Sequence, residues 1–277
     1  MNGLLLALGA SLAWGFADFV GPWQGRTLGA LRVLLWSELA GLLAVAVVVA
    51  ARRAGPESDA VLLAIPASIS GTLGIFAYYR GMAIGAMAVV APIAGASAIV
   101  PVIFGIVSGD RPSGWQYAGI ASAIAGVTLA SQEHQTGEKR QLAAGVGLAL
   151  LAAVGFGFYF PAMHAASKVD PYWSTLVFRL CAAAVVAGAV AIRRPAIRLS
   201  GWKLAVVAGV GLGDAAANAM FAGSASQGGL VSLTSVLASL YPIVTVLLAA
   251  IVLKERVSVP QRFGVVLTLT GVALISA

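Results

Sequence analysis

Asp214 and Asn218 stand four residues apart in the run Gly211-Leu212-Gly213-Asp214-Ala215-Ala216-Ala217-Asn218. On a helix this spacing puts both on one face. A carboxylate and a carboxamide among glycines and alanines leave room for a ligand or water. Such a carboxyl can also carry a proton. Arg179 supplies the opposite charge. Its guanidinium fork suits a substrate carboxylate or phosphate. It can equally close a structural ion pair with Asp214 or Glu38, because buried ions usually pair. Asp18, Arg32 and Arg80 form another set. They read as a gate or salt-bridge cluster, with snorkelling of the two arginines to the headgroups as the alternative. Trp14, Tyr78 and Tyr79 can line a cavity with rings and hydroxyls.

The medium that holds these groups follows from composition. Of 277 residues, 60% are hydrophobic and 33 are glycine, while only 10% are charged. A soluble domain carries about 25% charged residues, so this chain cannot coat a water-facing surface. The mean hydropathy of +0.96 agrees. A soluble enzyme, a disordered chain and a disulfide scaffold are excluded. The net charge of +7 does not mark a nucleic-acid binder, because the basic residues lie in short breaks between apolar runs, where membrane proteins keep them. Cys181 is alone and reads as a packing residue. The run from Gly3 has no basic region before it and continues into a multi-span pattern, so it reads as a mature helix rather than a signal peptide.

A spanning helix needs about 20 mostly apolar residues. Ten runs qualify: 3–21, 27–51, 60–82, 87–107, 114–131, 143–166, 171–192, 202–222, 229–253 and 258–276. Arg52-Arg53-Ala54-Gly55-Pro56, Gly109-Asp110-Arg111-Pro112, Arg193-Arg194-Pro195 and Lys254-Glu255-Arg256 separate some of them. Helices are expected throughout, since hydrocarbon demands internal satisfaction of every backbone polar group and barrel strands would alternate polar with apolar residues. The expected fold is an all-α integral membrane protein of ten transmembrane helices. Lys203 and Arg262 sit at span mouths, but Asp18, Arg32, Glu38, Arg80, Arg179 and Asp214 fall inside spans. An ionised group at the bilayer centre costs at least ~2.5 kcal/mol, so each must face the interior, pair, snorkel or neutralise.

The polar stretch Ser131–Gln141 bisects the chain, and its His134 reads as a solvated loop residue. Residues 1–131 and 143–277 then form two five-helix halves, with 132–142 as linker. The halves resemble each other. Trp14-Gly15-Phe16 aligns with Phe156-Gly157-Phe158, Arg52-Arg53 with Arg193-Arg194, and Pro101 with Pro242. Gln116, Gly119 and Gly126 align with Gln261, Gly264 and Gly271. By the register of the double arginines, Glu38 aligns with Arg179. A five-span unit starts and ends on opposite sides of the bilayer, so two in sequence insert upside down relative to each other. Such inverted repeats place substrate sites at their interface near the midplane, and matched helix interruptions point to that site. Pro101 and Pro242 are matched interruptions, and Pro92 adds a kink to the fourth run.

Several segments resemble EamA-type carriers of the drug/metabolite transporter superfamily over nearly the whole chain. They are Ala13-Trp14-Gly15-Phe16-Ala17-Asp18-Phe19, Tyr78-Tyr79-Arg80-Gly81-Met82-Ala83, Val89-Val90-Ala91-Pro92-Ile93, Ser239-Leu240-Tyr241-Pro242 and Leu253-Lys254-Glu255-Arg256. The resemblance implies ten helices, inverted five-helix repeats and a central cavity lined by spans 1, 3, 4, 6, 8 and 9. It implies export of a small metabolite such as an amino acid from a bacterial-type inner membrane. Sugar, nucleotide-sugar or organic-cation transport are alternatives on the same fold.

Partners expected are a small-molecule substrate, the lipid bilayer and, through Asp214 or Asp18, protons. No cofactor, metal site, nucleic acid or enzyme motif is expected; a channel and a membrane enzyme are the remaining rivals. The resemblance also places both termini inside. The charges say otherwise. Arg52, Arg53, Arg111 and Lys168 stand on the terminal side against Arg26, Lys139, Arg140, Arg193, Arg194, Arg198, Lys203, Lys254, Arg256 and Arg262 on the other. The positive-inside rule therefore puts the termini outside. Trp115, Trp173 and Trp202 read as interfacial residues, and His164 as a packing residue at a membrane edge.

Overall fold

A computed structural model describes residues 2–83, 96–130, 139–228, 230–252 and 259–276. Among them every regular element is a helix. The first half contains α1 (Asn2–Leu28), α2 (Ala30–Arg52), α3 (Ser58–Ala83), a 3-10 turn at Ala96–Ala98 leading into α4 (Ile99–Val107), and α5 (Gly114–Ala130). The second half contains α6 (Lys139–Val169), α7 (Pro171–Arg193), α8 (Trp202–Ser226), α9 (Val231–Ala238), α10 (Tyr241–Val252) and α11 (Val259–Ser276).

Six of these helices are long and apolar enough to cross a membrane: α1, α2, α3, α6, α7 and α8. The 23 residues of α2 rise about 34 Å, enough for a hydrocarbon core of about 30 Å. The other expected spans differ. The described part of the fourth is the 3-10 turn plus the nine residues of α4. The ninth is not one helix but two, because the chain turns at Ser239 and Leu240. Pro242 is then the second residue of α10 and Pro101 the third of α4. A residue without an N–H is tolerated in a first turn, so each proline restarts a helix rather than kinking one. Pro92, His134 and Lys254-Glu255-Arg256 lie outside the described residues.

Boundaries follow local chemistry. At the start of α7, Asp170 Oδ1 accepts from the backbone N–H groups of Tyr172 (2.8 Å) and Trp173 (3.1 Å), with Pro171 at the first helical position. This is a standard N-terminal stop for a helix. α2 ends at Arg53 and α7 at Arg194, both left-handed, with φ of 53° and 46°. They are the second members of the aligned double arginines. α1 continues through Pro22 to Leu28, and α2 begins after Gly29, whose φ is 88°. α6 begins at Lys139, within the expected linker 132–142.

The most extensive packing runs between the halves. α3 packs on α6 and α1 on α8; α2 packs on α7, α5 on α11 and α4 on α9. Exchanging the halves turns this set of pairs into itself. The partners are antiparallel. Along α2 and α7, Arg52 meets Asp170 at one end, Glu38 meets Arg179 in the middle, and Trp36 reaches Ile197 at the other end. Between α5 and α11, Gly126 lies against Gly264 and Thr268, while its counterpart Gly271 lies against Gly119 and Ala123. A Cβ at either glycine would overlap partner backbone, so glycine sets how close these two helices come.

The largest buried cluster sits where the halves meet and includes Tyr159, Phe160, Met163, Phe178, Phe221 and Leu237. Outward positions are apolar too: Leu12, Leu43, Val47, Leu62, Leu212 and Phe263 are exposed. This inside-and-outside hydrophobicity belongs to a chain solvated by lipid.

Candidate functional site

The interior charges on α2, α7 and α8 form one chain. Arg179 on α7 donates from Nη1 to Glu38 Oε2 on α2 at 3.0 Å and from Nη2 to Asp214 Oδ2 on α8. The Arg179 side chain is 1% exposed, Glu38 8% and Asp214 27%. One guanidinium thus joins three helices by spending its two terminal nitrogens on two carboxylates. Among the described residues its Nε has no hydrogen-bond partner. The close approach of α2 to α8 depends on Gly211, where a Cβ would collide with the Ser37 backbone.

Asp214 opens onto a cavity of about 80 Å³, whose wall also includes Asp18, Tyr78, Tyr241 and Asn218. The volume accommodates roughly five waters. Most of the remaining wall is aromatic: Trp14, Phe156, Tyr159, Phe160 and Phe178. Trp14 is the hub, with ring centroids 6.2 Å from Tyr159, 6.1 Å from Phe160 and 6.4 Å from Tyr241, all edge-on. Asn218 Nδ2 donates to the Asp214 carbonyl at 2.8 Å, and its Oδ1 accepts from the Tyr159 hydroxyl. The helix turn predicted to align Asp214 with Asn218 is present.

The sequence-predicted residues divide by depth. Trp14, Tyr78, Asp214, Asn218 and Asp18 meet at the cavity. Arg179 and Glu38 stand behind its wall, and neither lines it. Arg32 does not join Asp18: its Nε donates to the Ala196 carbonyl, beyond the end of α7. Asp18 has no ion pair among the described residues. The side chains of Tyr79 and Arg80 lie outside the described residues. Among the described residues no group of three His, Cys, Asp or Glu side chains is placed to hold a metal. His164 is buried, and neither ring nitrogen has a hydrogen-bond partner among the described residues.

Other residues matter that their types alone did not reveal. Tyr159 and Phe160 align with Ala17 and Asp18 in the register set by Trp14 and Phe156, so the duplication carries no matching polarity that would flag them. Tyr241 was visible only as part of the segment before Pro242. Asp170 had a signal, an Asp-Pro pair between two apolar runs.

Two carboxylates outside the cavity also tie the halves. Arg52 Nη1 meets Asp170 Oδ1 at 3.0 Å. Burial pushes the Asp170 carboxyl up, but the N–H groups of Trp173 and Tyr172 and the Arg52 guanidinium outweigh it and hold the group below the usual carboxylate range. Asp110, after α4, accepts at Oδ2 from the Ser232 backbone N–H (2.8 Å) and hydroxyl (2.7 Å). It thereby satisfies open donors at the start of α9.

The model of the EamA-like transporter family matches residues 1–132 and 143–277. A solved structure titled only as the crystal structure of a protein superposes with a TM-score of 0.85 at 19% identity, covering 100% of this chain and 98% of that one. At that identity the likeness concerns fold alone. No curated protein matches the sequence.

Proposed function

This chain belongs to the EamA-like transporter family of the drug/metabolite transporter superfamily, and from that premise we propose that it is an alternating-access carrier exporting a small metabolite. Membership makes it a multi-pass membrane transporter with a small-molecule substrate. The finer reading has ten spans in two inverted five-helix repeats, 1–131 and 143–277, joined by a linker, in a cell membrane of the bacterial inner type. The observation that carries it is the exchange-symmetric, antiparallel pairing of the halves around a cavity with polar groups. A structure built from two inverted copies has two arrangements of similar energy, one open to each side. The cavity lies on their seam.

Substrate contact is assigned to Asp18, Asp214, Trp14 and Tyr78. Asn218 fixes Tyr159, and Arg179 with Glu38 positions Asp214. Proton exchange at the cavity carboxylates is the coupling mode that this arrangement supports. The positive-inside count places the termini outside, which terminal reporter fusions test.

The decisive measurement is counterflow in proteoliposomes. A carrier shows saturable uptake of labelled substrate driven by unlabelled substrate inside, and Asp214→Asn depresses it at equal incorporation. Non-saturable flux without counterflow would make the protein a channel. Flux unchanged by an imposed pH difference would remove the proton from the mechanism.

A further inference from the structure

We propose that the cavity is a site for a small organic cation, held by Asp18 and Asp214 within an aromatic enclosure. This rests on the carrier reading and names its substrate class.

Charge comes first. Among the described residues lining the cavity, Asp18 and Asp214 are the charged ones, and no Lys, Arg or His lines it. Arg179 does not balance them. Its two terminal nitrogens are already divided between Glu38 and Asp214, so one cation serves two anions before Asp18 is considered. The described wall of the cavity is therefore anionic. Two carboxylates around one small low-dielectric space favour an incoming positive charge and repel a negative one.

The rings come second. Trp14, Tyr159, Phe156, Phe160 and Phe178 crowd the same space. Aromatic faces attract cations through the ring quadrupole, Trp most strongly, and more so once water is removed. The same rings supply little to a sugar, whose hydroxyls need many partners when buried. Asn218 uses its Oδ1 on the Tyr159 hydroxyl and an N–H on the Asp214 carbonyl. It is thus committed within the wall. Arg179, whose guanidinium is shaped to grip a substrate carboxylate, lies behind the wall and is 1% exposed. Among the described residues, a carboxylate entering here would meet Asp18 and Asp214 with no guanidinium facing it.

The test uses the full chain purified in detergent and a series differing in charge at near-constant shape: benzylammonium, benzyl alcohol and benzoate, with choline as a quaternary cation. Binding is measured by calorimetry at neutral pH. The cations are expected to bind, benzyl alcohol at least tenfold more weakly, and benzoate not detectably. Asp18→Asn is expected to weaken cation binding tenfold or more while keeping its elution profile and melting temperature; Asp18→Glu should restore most of it. Neither cation binding, or benzoate or benzyl alcohol binding as tightly as benzylammonium, would overturn the proposal. Liposome exchange separates this from the parent reading. Cations that bind but are not exchanged keep the cation site and overturn the carrier. Exchange of anions or neutral solutes by a protein indifferent to cations keeps the carrier and overturns the cation site.

Discussion

α1 and α6 occupy equivalent places in the two halves, and both face the cavity. α1 brings Trp14 and Asp18; in the same register α6 brings Phe156 and Phe160. The ring has been kept and the acid has not. The same divergence appears behind the wall. Glu38 on α2 and Arg179 on α7 are counterparts that touch each other. Where a two-fold axis passes between equivalent helices, a residue lying on the axis meets its own image. In a dimer of identical chains that contact would set like charge against like. A duplicated chain escapes this, because each copy can mutate alone. Packing, shared by both halves, stays symmetric; chemistry, needed once per cavity, does not.

The largest effect should come from breaking the ion chain where the copies differ. Arg179→Met leaves Glu38 buried and Asp214 half-buried without a cation, and removing one partner of a buried pair costs about 3–5 kcal/mol. The melting temperature in detergent should fall steeply. Glu38→Met combined with Arg179→Met should recover part of the loss, since apolar replacement of a whole pair is often tolerated. A single variant as stable as the double would show that the charges do not couple these helices.

The symmetric contacts give a sharper comparison. Gly126→Val and Gly271→Val each insert bulk against partner backbone at equivalent points of the α5–α11 seam. Overpacking costs about 1–3 kcal/mol, and the two variants should lose similar amounts. A large difference in melting temperature would mean that the seam is not shared equally.

Asp170 tests an interaction that binds α2 to the start of α7 alone. Asp170→Asn keeps a capping oxygen but loses the charge facing Arg52. Because the native carboxyl is held below its usual range, its stabilisation is complete above the unfolded value of about 3.9. It disappears as pH falls through the native value. Wild type should therefore lose more melting temperature than Asp170→Asn on acidification below about pH 4. Parallel curves would remove Asp170 from the acid response.

The smallest effect is at the helix ends. Arg53 and Arg194 are left-handed, a conformation that costs a side-chain-bearing residue about 1–2 kcal/mol. Glycine relieves this at the price of greater unfolded-state entropy. Arg53→Gly and Arg194→Gly should each raise stability by about 0.5 kcal/mol. A gain at one end only would show that the two ends are unequal despite matching geometry.

Much of this was legible beforehand. The runs behind α1, α2, α3, α6, α7 and α8, the register of the halves, and the shared face of Asp214 and Asn218 follow from composition and spacing. The Arg179–Asp214 pair was one of two readings open to a buried arginine. Others were not legible. Nothing in the segment around Ser239 predicts a turn there, since Ser and Leu occur freely inside helices; the Pro242 that follows only permits one. Arg32 is typed like a gate residue, yet it reaches Ala196, a backbone acceptor that carries no sequence signature. Tyr159 is one aromatic among several in Gly157-Phe158-Tyr159-Phe160, and only its rotation toward α8 gives it Asn218.

By itself, then, the sequence determined the solvent and the helical state, and it supplied the register on which the doubling of the chain is proposed. Hydropathy, the cost of unpaired backbone in lipid and the order of matched residues act along one dimension. The tertiary structure decided that Arg179 is shared between Glu38 and Asp214, which acids face the cavity and which stand behind it. Those outcomes depend on the rotation and depth of each helix against its neighbours, which side-chain packing sets in three dimensions.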